Sequence, residues 1–555
     1  MTQNGRVSRS SATADPAQTR AELSTLRPDL VAGYDAELPG ARASVLARLI
    51  GAIDREALPG LVSREPGRAG FADGTVVRYP TEAAALFAPG PAGLAVRLSG
   101  PSTSDERPGT SGEHPGTGGE HPGTSNDRPD TTDDRPDTSG EHPGAGDAQS
   151  REGMAIDDPG TLVRLLWRGT GLAAEVDNSV ANLALARADR SPRHLPVPHD
   201  LGRIEQLLTD GHPVHPCCRT RGGMTVADVL AYAPEHSPVI RLRRLRVPAD
   251  RWYGTAPPIL YAHPWQAARI RDRYPWLTDD GETGPARPLM SLRTVAPLDG
   301  GPHVKTAVDV QMTSAVRTVS PAAVHNGPIL SALIRRLTAD LPIDILAETE
   351  AGAVIVDGRP QRHLAFLRRE APRLHPDETA VPMAVLSASP MLLERIHDAY
   401  GFMALLGDVL FAPLLELLRR GIALEAHGQN TLVVLRDGRP VRVLYRDLGG
   451  VRVSTHRLNV DLEGDLPSED PQVLRDKLTA SAISTVAAEL IGALTRGRGA
   501  DPMRLWGIVA EAIKGTDDAK HILSNPLPLK ATTAMRLATD PLEDRWARID
   551  NPMAA

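Results

Sequence analysis

The stretch Glu425-Ala426-His427-Gly428-Gln429-Asn430 is followed fifteen residues later by Tyr445-Arg446-Asp447, and two β-prone runs around Asp437-Gly438 lie between them. An Asp-Gly pair between two such runs is typical of a β-hairpin with a two-residue loop. Pairing outward from that loop predicts that the two polar clusters meet at the open end of one hairpin.

The predicted register sets Gln429 opposite Arg446 and Gly428 opposite Asp447. Carboxylate and amide oxygens are hard metal ligands, and the guanidinium fork matches phosphate. The cluster therefore suits Mg-nucleotide chemistry, although a polar strand end that only satisfies local backbone remains an alternative. Its polar side chains are those of Glu425, His427, Gln429, Asn430, Arg446 and Asp447.

Length and composition describe an ordinary multidomain chain. At 555 residues it exceeds the size of one core, with 41% hydrophobic and 24% charged residues. A net charge of -7 without a basic stripe argues against a nucleic-acid partner. No signal peptide and no apolar run of membrane-spanning length are recognised, so we expect a cytoplasmic protein without membrane association. The vicinal pair Cys217-Cys218 offers no disulfide framework.

A repeated segment interrupts the N-terminal part. Prolines recur every seven residues from Pro108 to Pro143, within units such as Glu-His-Pro-Gly-Thr-Gly-Gly. The period is that of a coiled coil, but apolar a/d positions are missing and each unit holds a helix breaker. The composition predicts a disordered linker over 101–152.

Apolar spacing predicts several helices elsewhere. The run 405–418 is apolar nearly all round, and Pro413 predicts a buried helix pair beneath the hairpin. The other predicted helical regions are the second half of 21–57, 162–188, 201–208, 472–494 and 502–514.

A loop with two His-Pro pairs follows the helix predicted at 201–208. His212 and His215 precede Arg219 and Arg221. A zinc site is disfavoured because the prolines fix an extended backbone and a second ligand pair of zinc-like spacing is missing. The residues favour an anion-facing loop, and two capped histidines in a rigid turn remain the alternative.

Two further segments carry candidate anion ligands. Runs 289–295 and 304–310 predict two strands, with Ser291 and Arg293 on one face of the first and Lys305 on the second. A helix beginning at Thr313 would place Thr313 and Arg317 on one face near its N-terminus. A buried structural salt bridge is the alternative for Lys305 and Arg317.

The order of these motifs resembles the IucA/IucC family, the NRPS-independent siderophore synthetases. The resemblance spans roughly 160 to 450. Its motifs are Gly-His-Pro-x-His-Pro at 211–216, Tyr232-Ala233-Pro234-Glu235, His263-Pro264-Trp265-Gln266, Ser291-Leu292-Arg293-Thr294, Lys305, Thr313-Ser314-x-x-Arg317, and the two polar clusters of the hairpin.

The resemblance implies a cupped α/β (α+β) architecture with thumb, fingers and palm domains, interrupted by the disordered Pro/Gly-rich insertion. The expected parts are a thumb at 1–100 and 153–200, the linker at 101–152, fingers at 201–385, and a palm at 386–555. The nucleotide would lie between fingers and palm.

The resemblance also implies a reaction and cofactors, namely ATP and Mg²⁺. Citrate or a citrate-like acid would be adenylated with release of pyrophosphate. An amine or hydroxyl nucleophile would then form an amide or ester, as in siderophore biosynthesis for iron acquisition. The nucleophile would be a polyamine, an amino acid or a hydroxamate amine.

Site residues follow from the same resemblance, matched motif by motif. The catalytic candidates are Lys305, Arg317 and His427. The ATP candidates are Ser291, Arg293, Thr294, Lys305, Arg317, Glu425, His427, Gln429, Asn430 and Asp447. The candidates for the substrate carboxylate are His215, Arg219, Arg221, Thr313, Arg317 and His427. The metal candidates are Glu425, Asn430 and Asp447.

One position departs from the family pattern, because Arg219 stands where a Lys is usual. Two rival functions remain: a small-molecule kinase-like phosphotransferase, which would form ADP, and a carboxylate-binding relative without turnover. The sequence leaves open which acid and nucleophile are used, which carboxylate is activated, and whether the chain forms a homodimer.

Overall fold

The structure is a computed structural model and describes residues 14–100, 153–190, 200–541 and 543–554. The linker predicted over 101–152 lies outside the described residues. Within them, helices and mostly antiparallel sheets are mixed, which confirms the predicted α/β (α+β) class. The predicted domain boundaries stay a prediction.

The N-terminal part pairs long helices with a five-stranded antiparallel sheet. The helix Val31–Arg55 buries Val45, Leu46, Leu49 and Ile53 completely, which confirms the helix predicted in the second half of 21–57. Its apolar residues recur every three or four positions, and it packs most extensively against the helix Leu172–Ala188. The other helices are Pro16–Leu26, Pro159–Leu166 and Leu172–Ala188, and the strands are Leu61–Glu65, Arg68–Phe71, Val76–Arg78, Val96–Ser99 and Met154–Ile156.

The C-terminal segment returns to these N-terminal helices. The backbone N–H of Ala534 donates to the buried Glu56 carboxylate at 2.7 Å. Arg536 donates through Nε to Glu175 at 2.6 Å. The segment comprises the helix Thr532–Leu537 and the paired strands Leu527–Lys530 and Trp546–Ile549.

The middle of the chain forms a six-stranded sheet and two smaller ones. The six strands, in spatial order, are Ala286–Pro288, Thr294–Pro297, His303–Thr306, Arg359–Arg369, Glu348–Val356 and Trp252–Gly254. The smaller sheets are formed by Ile259–Ala262, Arg243–Arg246 and Thr278–Glu282, and by Val308–Met312 and Ala315–Arg317. The helices of this region are Leu201–Gln206, Val226–Tyr232, Pro264–Arg273 and Pro321–Leu337.

The predicted hairpin lies in a four-stranded sheet. Its strands are Thr431–Arg436 and Arg439–Tyr445, flanked by Glu378–Pro382 and by the parallel strand Ile343–Ile345. Asp437 and Gly438 adopt φ values of 50° and 73°, which confirms the two-residue loop.

The predicted register of the hairpin is wrong by one residue. The ladder shifts between Val434 and Leu435, so that Thr431 pairs with Tyr445. The backbone N–H of Arg446 consequently donates to Asn430, at 3.1 Å, and not to Gln429. A bulge inserts one residue into one strand, and no turn signal in the sequence marked it.

Long helices form the core beneath the hairpin. The run expected to break at Pro413 is instead continuous from Ala399 to Arg419. A π-helical segment, Gly407–Phe411, precedes the proline and widens the helix where an α-helical bond would be lost. Phe402, Leu406 and Leu410 pack in one cluster with strand residues of the hairpin, as predicted.

A second long helix, Pro471–Arg498, contains the π-helical segment Thr479–Ala487. These two long helices meet the length and composition of a membrane span, but 67% and 72% of their apolar windows are buried inside the protein. The remaining helices are Met383–Ala388, Pro390–Leu393, Pro502–Ile513 and Asp517–Ser524, and the last sheet contains Ile422–Ala423, Arg452–Ser454 and Pro467–Ser468.

Candidate functional site

Lys305 and Asp447 form the centre of the candidate site. Lys305 lies on the strand His303–Thr306, as predicted, and its Nζ donates to both Asp447 carboxylate oxygens at 2.8 Å. Burial alone would raise the pKa of Asp447, but Lys305, followed by Arg369 and Arg293, holds it well below its usual range. Three cations therefore surround one carboxylate, and this leaves positive charge for an incoming anion.

The backbone of Asp447 is unusual. Its φ of 72° and ψ of 95° lie outside the region that a non-glycine residue normally occupies. Its conformation is held by the bonds to Lys305, by the Tyr445 hydroxyl donating to its carbonyl at 3.3 Å, and by the turn Leu448–Gly450. Such strain persists only where the surroundings hold the residue.

Ser291 and Arg293 do not share a strand face. They lie in the turn before the strand Thr294–Pro297, because Leu292 adopts a φ of 65° and buries its side chain completely. The Ser291 hydroxyl donates to Thr294 Oγ1 at 3.0 Å, and Arg293 Nη1 donates to the Thr318 carbonyl at 2.6 Å. The three predicted residues of this motif are still adjacent.

The helix predicted at Thr313 is wrong. Thr313 has a φ of 53° and lies in the turn between the strands Val308–Met312 and Ala315–Arg317. Arg317 nevertheless donates through Nη2 to Thr313 Oγ1 and, at 2.9 Å, to the Met312 carbonyl. The tight turn therefore brings the predicted hydroxyl and guanidinium together.

The surroundings of Arg317 lower the pKa of its guanidinium. Burial, followed by the charges of Arg293 and Arg221, lowers its pKa to about 10. It remains protonated near neutral pH. Because like charges repel at this position, a bound anion would relieve the electrostatic cost.

His212, His215 and His427 lie near each other, with His215 buried and the other two half-buried, and the pKa of each is lowered. Burial, followed by the charge of His427, lowers the pKa of His212 to about 3. Burial and then His212 and Arg317 hold the pKa of His215 well below its usual range. Burial also lowers the pKa of His427, although Glu425 and Asp447 oppose the shift.

Hydrogen bonds orient these rings. His215 Nδ1 accepts from the Cys217 N–H at 2.9 Å, and its Nε2 shares a hydrogen bond of 2.8 Å with Ser314 Oγ. His427 Nδ1 accepts from the Gln429 N–H at 3.3 Å, and its Nε2 lies 3.3 Å from Asn430 Nδ2. Neutral imidazoles of fixed orientation suit the recognition of a carboxylic acid.

Arg219 and Arg221 do not face an open anion site. Arg219 Nη1 lies 3.1 Å and Arg221 Nη2 lies 2.8 Å from the carboxylate of Glu235, whose side chain is completely buried. Arg219 also donates to the carbonyls of Leu208 and Thr209. In this structure a carboxylate of the protein pairs with both arginines, and their binding of the substrate carboxylate stays a prediction.

Arg446 is likewise bonded to groups of the protein. Its Nη1 lies 2.6 Å from the fully buried Glu205 side chain, and its Nε and Nη2 donate to the Gln429 carbonyl at 3.1 and 2.8 Å. This ion pair ties the hairpin to the helix Leu201–Gln206. The sequence motif identified Arg446 correctly as a neighbour of Gln429 but missed its acidic partner.

Of the predicted metal ligands, Asp447 and Asn430 supply hard oxygens at the base of the hairpin. The Glu425 carboxylate faces Lys477 at 3.4 Å and Lys530 at 3.7 Å. Among the described residues, no group of three or more His, Cys, Asp or Glu side chains is arranged so that it could hold a metal ion. The donor chemistry of Asp447 and Asn430 fits Mg²⁺, and the part of Glu425 stays a prediction.

Sequence reasoning missed several charged residues that face the site. They lie outside the motifs that guided the prediction, and their local patterns are those of ordinary strand and helix residues. Only the fold reveals their proximity. They are Glu205, Glu348, Lys477 and Lys530.

Comparisons with known proteins agree with this geometry. The IucA / IucC family model matches residues 200–258 and 255–388, and the model of the ferric iron reductase FhuF-like transporter family matches residues 403–545. Staphyloferrin A synthase of Staphylococcus aureus is 27% identical over 432 residues, which cover 64% of this chain and 73% of that protein. D-ornithine--citrate ligase of the same organism is 22% identical, covering 63% of this chain and 70% of that protein.

The fold has solved counterparts. The structure of ATP-bound aerobactin synthetase IucA from a hypervirulent pathotype of Klebsiella pneumoniae superposes with a TM-score of 0.68 at 18% identity. The superposition covers 93% of this chain and 99% of the IucA chain. At this identity the likeness shows a shared fold.

Proposed function

Because the IucA / IucC family model matches residues 200–258 and 255–388, we propose that the chain is an ATP-dependent siderophore synthetase of that family. It adenylates a carboxylate of citrate or a citrate-like acid and condenses it with an amine or hydroxyl nucleophile. The products of the ATP half-reaction are AMP and pyrophosphate. The proposed location is the cytoplasm, where ATP is available.

The observation that carries this proposal is the surplus of positive charge around Asp447. Adenylation brings a carboxylate and a triphosphate together, and fixed cations reduce the repulsion between them. Lys305, Arg293 and Arg317 converge there from three separate segments. Their charges suit the triphosphate and the charge that develops on the departing pyrophosphate.

In the proposed first step, a carboxylate oxygen of the acid attacks the α-phosphorus of ATP, and the bond to the β-phosphate oxygen breaks. The acid would be held by Arg317, Thr313 and the neutral rings of His215 and His427. In the second step the nucleophile attacks the acyl carbon, loses its proton, and AMP leaves. The displaced AMP takes the electrons of the acyl–oxygen bond.

Mg²⁺ is part of the proposal. The oxygens of Asp447 and Asn430, with Glu425, would hold the ion, which when bound neutralises phosphate charge. Both carboxylate oxygens of Asp447 accept hydrogen bonds from Lys305. Lys305 therefore keeps the carboxylate ionised and oriented until the nucleotide arrives.

The departure at Arg219 does not bear on the acid in this proposal. Its guanidinium is bonded to Glu235 and to backbone carbonyls. The name of D-ornithine--citrate ligase supports citrate as the acid and an amino acid as the nucleophile.

Product analysis tests the proposal. The protein is incubated with ATP, Mg²⁺ and a panel of carboxylic acids with hydroxylamine as trap, and pyrophosphate, AMP, ADP and acyl hydroxamate are quantified. We expect pyrophosphate only with a suitable acid, and Asp447→Ala should abolish its release. ADP as the sole acid-dependent product would establish the kinase-like alternative. Acid binding without any product would establish a binding protein.

A further inference from the structure

Glu348 is a buried carboxylate directly behind the candidate site, and none of the motifs contains it. It is the first residue of the strand Glu348–Val356 and is 2% exposed. Its side-chain Oε1 accepts a long hydrogen bond of 3.4 Å from the backbone N–H of Leu448. Leu448 follows Asp447, so Glu348 contacts the turn that carries the strained residue.

The neighbouring helix Pro321–Leu337 leaves space for the Glu348 carboxylate at Gly327. A Cβ on Gly327 would lie 2.8 Å from Glu348 Oε2 and 3.3 Å from Glu348 Cβ, closer than side chains normally approach. The Ser331 hydroxyl joins the two segments, because it accepts from the Glu348 N–H at 2.9 Å and donates to the Gly327 carbonyl at 2.7 Å. A glycine within a helix costs stability, and here it admits Glu348.

The charge of Glu348 also acts on the site. Burial raises its pKa, Lys305 opposes the shift, and Asp447 adds to it. Glu348 therefore lies within the electric field of both members of the Lys305–Asp447 pair. A buried carboxylate whose side chain makes one long hydrogen bond to the described residues destabilises the fold. Its presence therefore favours a role at the site.

We propose that Glu348 is a positioning residue for the ligase reaction. It holds the turn Leu448–Gly450 through the Leu448 N–H, and so keeps Asp447 in its strained backbone conformation with its carboxylate towards Lys305. It touches neither acid nor nucleotide. This inference rests on the proposed function, because the role it assigns is to orient Asp447 for the nucleotide.

The test compares variants that remove, neutralise or displace the carboxylate. Glu348→Ala removes the acceptor, Glu348→Gln keeps an acceptor without the charge, and Gly327→Ala places a methyl group against an unaltered Glu348. Glu350→Ala is the matched control, because Glu350 lies on the same strand but pairs with Arg368 at 2.7 Å at the surface.

Two measurements are made on each full-length variant. Hydrogen exchange followed by mass spectrometry reports the opening of residues 446–451 in the ligand-free protein and requires no activity. Steady-state pyrophosphate release reports kcat and the KM for ATP separately. A thermal unfolding curve verifies that each variant is folded.

We expect Glu348→Ala and Gly327→Ala to exchange the 446–451 amides about tenfold faster or more, and to lower kcat about 10- to 100-fold with KM changed less than about threefold. Glu348→Gln should restore slow exchange and most of kcat, and Glu350→Ala should match the unaltered protein.

Unchanged exchange in folded Glu348→Ala would overturn the proposal, and so would a kcat loss equal to the loss of folded protein. An unaltered protein that forms no pyrophosphate would refute the proposed function instead, while the exchange result would still decide whether Glu348 holds the turn.

Discussion

Two groups of arginine and lysine residues lie close together in this protein, and they differ in the groups to which they bond. Arg219 and Arg221 at the His-Pro loop close onto the buried Glu235. Lys305 bonds to Asp447, which also interacts electrostatically with Arg293 and Arg317, and each of these two arginines makes its hydrogen bonds to described residues through one terminal nitrogen. In the first group both guanidinium groups share one internal carboxylate and also bond to backbone carbonyls, whereas each guanidinium of the second group keeps nitrogens that have no partner among the described residues.

The comparison teaches that a cation in a motif does not by itself define a binding site. Both groups belong to motifs that resemble one family; Arg219, Arg221 and Lys305 are buried, and Arg293 and Arg317 are half-buried. The difference lies in the acidic partner, which comes from another part of the fold. A buried cation with its own carboxylate stabilises the fold, and a surplus of cations is available for function.

The sharpest test is Arg317→Lys. Lys keeps the charge but loses the planar fork, so we expect kcat/KM for pyrophosphate release to fall on the order of ten- to a thousand-fold with an unchanged fold. Steady-state kinetics and circular dichroism measure the two effects. An unfolded variant would place Arg317 with the structural group, and full activity would remove it from the site.

The matched change in the other group is Glu235→Gln. Two buried guanidinium groups would lose their counter-charge, which costs about 3–5 kcal/mol of the free energy of unfolding. Denaturant unfolding measures this loss. We expect kcat per folded molecule to stay within about threefold of the original value, because Glu235 does not face the ligand. A large kcat loss at unchanged stability would contradict the division into two groups.

The same carboxylate predicts a pH dependence of stability. Arg219 and Arg221 outweigh burial and lower the pKa of Glu235 from 4.5 to about 2 in the folded protein. Its contribution to stability is therefore complete above pH 4.5 and is lost as the pH falls towards 2. Across this range the free energy of unfolding should change less with pH in Glu235→Gln than in the unaltered protein, as measured by unfolding curves at each pH. Identical slopes would assign the acid sensitivity to other groups.

The smallest effect is expected from deleting residues 104–145. This polar repeat has no apolar anchors in its sequence, so the deletion should leave the melting temperature and turnover nearly unchanged. Calorimetry and the pyrophosphate assay measure both. A drop of many degrees or a loss of activity would mean that the repeat takes part in the folded protein.

Local chemistry made part of the structure predictable from sequence. The Asp437-Gly438 loop follows from residues that tolerate positive φ, and the long helices follow from apolar spacing. Lys305 lies on the predicted strand. These features depend on neighbours within a few positions, which the sequence displays directly.

The errors arose where long-range packing decides. The bulge after Val434, the turn at Thr313 and the kink at Leu292 all place one residue differently from the regular pattern. The acidic partners Glu205 and Glu235 lie in other segments, and no periodicity marks them. A pattern of residue types therefore located the candidate site but did not distinguish its ligands from its supports.

The return of the C-terminal segment to the first helices has a consequence for synthesis. Glu56 receives its bond from the N–H of Ala534, which is 478 positions later in the chain. At about 5–20 residues per second, the ribosome needs roughly 24–96 s to make that stretch. During this period the helix that precedes Glu56 has been made, but Glu56 lacks its hydrogen-bond donor Ala534. Closure of the C-terminal segment onto the N-terminal helices is therefore a late event, and a cell that slows translation also lengthens the exposure of this unfinished surface.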